Sequence, residues 1–326
     1  MPDFGALLRG RPRLRAAVLS QEAVLLLALL ALLLVVGLIN ERYVAERNLM
    51  SIALAHAYIA VAAIGMSMVI ITGNIDISVG SLIGVLAAVC GTLANMGLPI
   101  GLAWLLPILL AIVISGSLGV LVAYCRIPSI VASLGYLSIL KGGLIIWTGG
   151  AWITDLPENF GLALQRWGGV PAPIWAMLIL TALAAYWMRN SRTGRAFYAI
   201  GGNAEAARLA GIPTQRMVVL VFMLNGLFAG IAGILFATQL KVIQTTVPPY
   251  LELTIITAAV VGGVSILGGT GTVIGSTLAA VLLAAIGSAL IFIDVSPFWL
   301  RATYGTLILV TVLFDLHRRR LQQRAS

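Results

Sequence analysis

Residues 23–39 read AVLLLALLALLLVVGLI, an unbroken apolar run bounded by Glu22 and Asn40. A bilayer core about 30 Å thick takes roughly 17 to 25 apolar residues per helix, so this run is long enough to cross a membrane. Windows of the same kind recur from Ala23 to Leu316. Of the 326 residues, 60% are hydrophobic and 10% charged, and the mean hydropathy is +1.06. A soluble domain is only about half apolar, so a soluble fold is excluded. The expectation is an all-α polytopic membrane protein, with residues 1–326 forming a single transmembrane domain.

Hydropathy and turn residues together place about ten spans. Five precede the middle of the chain: Ala23–Ile39, Ile52–Ile71, Ile77–Met96, Leu98–Tyr124 and Ile130–Thr148. After the Pro- and Gly-containing stretch Gly149–Pro173 come Ile174–Met188, Met217–Gln239, Leu253–Leu267, Val273–Ile293 and Trp299–Leu316. Two of these, Ile174–Met188 and Leu253–Leu267, are short for a full crossing. Gly-rich turns separate the second span from the third and the eighth from the ninth. Broken helices at membrane depth are tolerated where they line a cavity or are buried in protein, which points to a transport path.

The net charge of +9 is concentrated in clusters bordering the spans. Arg9, Arg11, Arg13 and Arg15 lie in the tail 1–22. Arg189, Arg192, Arg195, Arg208 and Arg216 lie in the loop 189–216, and Arg318, Arg319, Arg320 and Arg324 in the tail 317–326. Basic residues of this kind set membrane orientation, so the charge calls for a lipid bilayer and no nucleic acid. All three clusters belong in the cytoplasm, which requires an even number of spans. A basic region before an apolar run also describes a cleavable signal peptide. The length of the run and the lack of a small-x-small site after it favour a retained span.

Cys90 and Cys125 have no CxxC spacing and lie in or beside apolar segments, so both read as packing residues, and no metal site is expected. The only lysines, Lys141 and Lys241, each follow a leucine. A phosphate-binding P-loop needs Gly-Lys followed by Ser or Thr, so this route to ATP hydrolysis is closed to the chain itself.

The loop 189–216 contains a helix marked at both ends. Asn203 is an N-cap, Glu205 sits in the first turn, Arg208 is near the end, and Gly211 and Pro213 stop it. Eight or so residues are fewer than the roughly 12 to 15 that an isolated helix needs in water. It must dock on something, either its own bundle or a partner.

Five ordered segments carry a resemblance: Asn74-Ile-Asp-Ile-Ser-Val-Gly80, Ile127-Pro-Ser-Ile-Val-Ala-Ser-Leu-Gly135, Trp147-Thr-Gly-Gly150, Gly194–Asn203 with Ala206–Gly211, and Gly262-Gly-Val-Ser-Ile-Leu-Gly-Gly269 with Gly271 and Gly275. They run through nearly the whole chain, which resembles the permease subunits of ribose-, rhamnose- and autoinducer-2-type ABC importers. The resemblance implies a type II importer fold, and a pore formed with a second permease copy or paralogue. It further implies ATP-binding cassette ATPase subunits that bind ATP and Mg, and a periplasmic sugar-binding protein. It makes the loop helix a coupling helix, with Asn203, Glu205, Ala206, Ala207, Arg208, Leu209 and Gly211 facing the ATPase. Asn74 stands where many ribose-type relatives carry Gly, which is closer to the rhamnose and autoinducer-2 branch.

Asn74, Asp76, Ser78, Lys141 and Ser265 are candidates for the translocation path or gate. Lys141 lies about 18 Å into its span at 1.5 Å per residue. An ion at that depth is a functional-site hypothesis by default: it faces the pore, pairs with a carboxylate such as Asp76, or is held by carbonyls and snorkelling. For Asp76, capping of the following helix is favoured over substrate contact. The glycines between 262 and 275 most simply allow a tight turn and close helix packing, and His56 reads as a satisfied packing residue. Arg42, Arg47, Arg166 and Arg301, with Lys241 and neighbouring carboxylates, are candidates for docking the binding protein or are ordinary solvated rims. The competing readings are an ion-coupled secondary transporter, for which only Asp76 is a candidate relay, and a membrane enzyme, for which no catalytic constellation is present.

Overall fold

The computed structural model describes residues 20–239, 242–245, 249–296 and 298–325, with the backbone alone for Leu164 and residues 314–325. The four arginines of the amino-terminal cluster and Lys241 lie outside the described residues, as do the side chains of Arg318, Arg319, Arg320 and Arg324. Among the described residues the chain is almost entirely helical. The elements are α1 Gln21–Ile39, α2 Glu46–Ala55, α3 Ala57–Ile71, α4 Val79–Asn95, α5 Ile100–Ala123, α6 Ser129–Thr148 and α7 Ala172–Asn190. They continue as α8 Arg192–Gly202, α9 Ala204–Leu209, α10 Thr214–Ala237, α11 Leu251–Val261, α12 Val273–Phe292 and α13 Trp299–Ala325. A two-stranded hairpin, β1 Arg166–Trp167 with β2 Val170–Pro171, lies in the connection between α6 and α7.

Among the described residues seven helices are long and apolar enough to cross a membrane, counting α2 and α3 as one rod from Glu46 to Ile71, and three shorter apolar helices accompany them. His56 interrupts that rod: its backbone leaves the helical region, and its Nδ1 lies 3.0 Å from the Ala280 carbonyl oxygen. The histidine is thus a packing residue with a partner, as expected.

Every residue of α3 is buried, so this helix is the axis of the bundle. Of the other helices, α10 packs most closely against it, and α5 packs in turn against α10 through small residues. A Cβ on Gly226 would lie 2.5 Å from the Ala111 carbonyl oxygen, and one on Gly230 2.9 Å from the Ile108 Cα. Such backbone approach is how helices associate where lipid removes any hydrophobic driving force between them. Hydroxyl pairs join other helices: Ser67 of α3 to Ser276 of α12 at 2.6 Å, and Thr181 of α7 to Thr277 of α12 at 2.8 Å.

Both interrupted hairpins are built alike. α3 ends in a Schellman turn in which Gly73 has φ 80°, the Gly73 amide donates to Ile70 O at 2.8 Å and the Asn74 amide to Val69 O at 3.2 Å. α11 ends the same way at Gly263, with φ 92° and amide bonds from Gly263 to Val260 O at 2.9 Å and from Val264 to Ala259 O at 3.1 Å. Thr272 then caps α12 by accepting from the Gly275 amide at 3.1 Å and donating to Glu22 at 2.6 Å.

Several expected boundaries change. The span Ile174–Met188 is the core of a 19-residue helix, because Pro171 and Pro173 start it early and Ser191 ends it. The span Leu253–Leu267 stops at Val261, an 11-residue helix, because the two glycines after it turn the chain. The tail after Leu316 does not leave the helix, which runs to Ala325. Cys90 is buried, but Cys125 is exposed and is not a packing residue.

Candidate functional site

One end of the bundle gathers the turns of both interrupted hairpins, the start of α1, and the loop helices α8 and α9. Ser191 caps α8 by accepting from the Gly194 amide at 2.8 Å. Its inward face is Gly194, Phe197 and Ile200, while Arg192 and Arg195 are exposed. Asn203 has extended backbone (φ −159°) and serves two helices at once. Its amide closes α8 on Ala199 O at 3.0 Å, and its Oδ1 accepts from the Ala206 amide at 2.9 Å to open α9. Ala207 is buried against the protein, whereas Glu205, Ala206, Arg208 and Leu209 face outward, Leu209 being 75% exposed. Gly211, at φ 83°, ends the helix, with amide bonds from Gly211 to Arg208 O and from Ile212 to Ala207 O, both 3.0 Å.

Glu205 and Arg208 form a forked pair, Nη2 to Oε1 at 2.6 Å and Nε to Oε2 at 3.1 Å. It is the only ion pair among the described residues. The guanidinium holds the Glu205 carboxyl below its usual range, and the carboxylate raises Arg208 in turn. Both side chains are exposed, so the pair adds little to stability. It presents a dipolar face beside the exposed apolar side chain of Leu209.

A second polar group lies inside the bundle. Asp76 Oδ1 accepts from the Ser78 amide at 2.9 Å and the Ser78 hydroxyl at 2.6 Å, and Oδ2 accepts from Asn225 Nδ2 at 2.8 Å. All three side chains are buried. Asp76 therefore orders the turn that leads into α4 without capping the helix, whose N-cap is Ser78 and has no side-chain cap bond, and it also ties that turn to the middle of α10. Asn225 Oδ1 has no partner and rests against Gly65. Glu252, at the start of α11, packs over Gly80, the second residue of α4.

The remaining sequence candidates scatter. Asn74 bonds Thr72 Oγ1 at 3.1 Å, and Ser265 is buried in the turn before α12, where its amide donates to Thr270 O at 3.1 Å. Lys141 is exposed on α6 and forms no ion pair with Asp76. Arg42, Arg47, Arg166 and Arg301 are all exposed; Arg301 stacks over the Tyr250 ring at 4.8 Å. Sequence reasoning missed Asn225 and α8. A lone amide inside the apolar run 217–239 signals the first, and Ser191 followed by apolar residues at helical spacing signals the second.

Helices interrupted at glycine turns, a buried polar cluster on one such break, and a capped helix exposed at one end define a membrane-embedded transport protein. Residues 48–313 match the family described as "Branched-chain amino acid transport system / permease component", and the chain belongs to it. It is 38% identical over 306 residues to the autoinducer 2 import system permease protein LsrC of Salmonella typhi, covering 94% of this chain and 88% of that one. To the LsrC protein of Escherichia coli O157:H7 it is 36% identical over 297 residues, 91% and 87% of the two chains. No solved structure matches. The chain is a multi-pass inner-membrane permease, a transporter component.

Proposed function

We propose that this chain is the translocation-path subunit of an ATP-binding cassette importer for a monosaccharide or sugar-like signal of the autoinducer-2, rhamnose or pentose class. The observation that carries the reading is the similarity to autoinducer 2 import permeases over 94% of the chain, which includes the loop helix α9. The family's own description names branched-chain amino acids; the near relatives favour the sugar-like class. ATP and Mg belong to partner ATPases, since the chain has no Gly-Lys-Ser/Thr sequence of its own.

In this reading the single domain 1–326 crosses the membrane ten times. The seven long helical spans are joined by α4, α11 and α13 as crossings, α11 being a half-length helix of about 16 Å at 1.5 Å per residue. The end carrying α8, α9 and Arg189–Arg216 is cytoplasmic, together with both tails 1–22 and 317–326. Asn203–Gly211 dock the ATPase. Arg42, Arg47, Arg166 and Arg301, at the opposite end, meet a periplasmic sugar-binding protein.

Asn74, Asp76, Ser78 and Ser265 line or brace the path at the two helix breaks. Lys141 lies about 10 Å from the α6 terminus at Thr148, and helical side chains lean toward the N-terminus, away from that end. An ammonium facing lipid there is costly, so the exposed face of α6 turns toward a second permease copy or paralogue. An ion-coupled mechanism fits less well, because both Asp76 oxygens already accept from protein donors.

The test is uptake in proteoliposomes holding the permease, its ATPases and the binding protein. Uptake of labelled autoinducer 2, rhamnose or ribose should require ATP; uptake without ATP or without ATPases refutes the reading. Topology is checked with the two native cysteines. An impermeant maleimide should label exposed Cys125 from the cytoplasmic side only and leave buried Cys90 unreacted.

A further inference from the structure

The last turn of α8 meets the two helix breaks backbone to backbone. A Cβ on Gly201 would collide with the Ile71 carbonyl oxygen at the end of α3 and lie 2.5 Å from the Gly269 amide nitrogen. That amide donates to Ile71 O at 2.8 Å. A Cβ on Gly268, which has φ 82°, would lie 2.9 Å from the Gly73 nitrogen and 3.0 Å from the Gly201 carbonyl oxygen. One turn earlier in α8, the Tyr198 hydroxyl donates to Gly271 O at 2.9 Å. Three segments thus converge on a few ångströms: the end of α3, the end of α8 and the turn that launches α12.

Contacts of this kind transmit displacement differently from ordinary packing. Side chains change rotamer and absorb a shift, whereas touching backbones cannot yield without moving their helices. The other end of the lever is equally stiff. Asn203 alone separates α8 from α9 and caps both, so a displacement of α9 reaches Gly201 through a single residue. The adjacent Gly202 is different, because its Cβ direction has nothing within 4 Å.

We propose that Gly201 and Tyr198 are positioning residues of a joint that carries motion of the docked ATPase from α9 to both interrupted hairpins, α3–α4 and α11–α12. The inference rests on the reading of α9 as the ATPase-docking helix. It assigns the coupling to the backbone seam beneath that helix and not to the docking contact itself. A glycine needed only for packing would lower stability when replaced. A joint must also set how much substrate moves per ATP hydrolysed.

The experiment uses the complete transporter in proteoliposomes, with ATPase co-purification, ATP hydrolysis and import per ATP measured together. Gly202→Ala should match wild type. Gly201→Ala should retain its ATPases and lose about 5- to 150-fold in import per ATP, the range for coupling energies of ordinary size. Tyr198→Phe removes one hydrogen bond without adding bulk and should lose about 2- to 10-fold. It decides the matter if Gly201→Ala does not assemble. Wild-type import per ATP in Tyr198→Phe, or an equal loss in Gly202→Ala, overturns the joint. Glu205→Lys combined with Leu209→Asp should release the ATPases. ATPases that remain bound there would instead refute the docking reading.

Discussion

Replacing Asn225 by leucine tests whether the buried polar cluster holds the bundle as described. Leucine matches asparagine in side-chain heavy-atom count and branching, and it removes the amide that donates to Asp76 Oδ2 at 2.8 Å. A hydrogen bond to a charged group contributes about 1.5–3 kcal/mol. Against this, Asn225 Oδ1 is buried without a partner, and deleting it relieves a desolvation cost of about 1 kcal/mol. The net expectation is a loss of about 0.5–2 kcal/mol. Asp76 keeps its two bonds from Ser78, so the fold survives. The pair belongs to one network, and a cycle with Asp76→Asn should reveal a coupling of about 1–2 kcal/mol. Unfolding free energies from reversible denaturation in detergent micelles supply the measurement. If Asn225→Leu is as stable as wild type, or if the two changes add, the bond between the entry of α4 and the middle of α10 is not formed.

Other consequences follow at the ends of the bundle. Asn203→Ala removes the cap of α9 at a cost of about 1 kcal/mol, and Leu209→Asp should weaken ATPase co-purification without moving the melting midpoint. The pH dependence of docking has a definite sign. Glu205 is held below its ordinary value of 4.5, so its pairing is fully present above that value and is lost only as pH falls through the lowered one. ATPase association should therefore be flat across neutrality, and a titration step there would contradict the assignment. Tyr43 is fully buried and its hydroxyl donates to Ala285 O at 2.9 Å. Tyr43→Phe removes this bond from a carbonyl that α12 already pairs within the helix, and should cost about 0.5–1.5 kcal/mol, read as a lower melting midpoint.

The apolar runs, the basic clusters and the capping signals at Asn203 and Gly211 are properties of local sequence. Bilayer thickness, charge placement and helix-end chemistry each act over a few residues, so the helical membrane fold and α9 could be read directly. The breaks at Gly73 and Gly262–Gly263 were legible for the same reason: each is a Schellman turn that only a left-handed residue completes. What could not be read was which distant segments touch. Nothing local distinguishes Gly201 from Gly202, yet one abuts Ile71 while the other faces open space. Nothing near Asp76 names Asn225, which is 149 residues away. Asp76 was one carboxylate with which Lys141 could pair if the fold joined them, and the packing of α10 beside α4 gave Asp76 an amide instead. These contacts depend on how rigid helices cross, and the crossings are set by small residues summed over the whole bundle. That is why the class of protein was determined by its sequence, while the seam beneath α9 and the cluster at Asp76 were decided only by the tertiary structure.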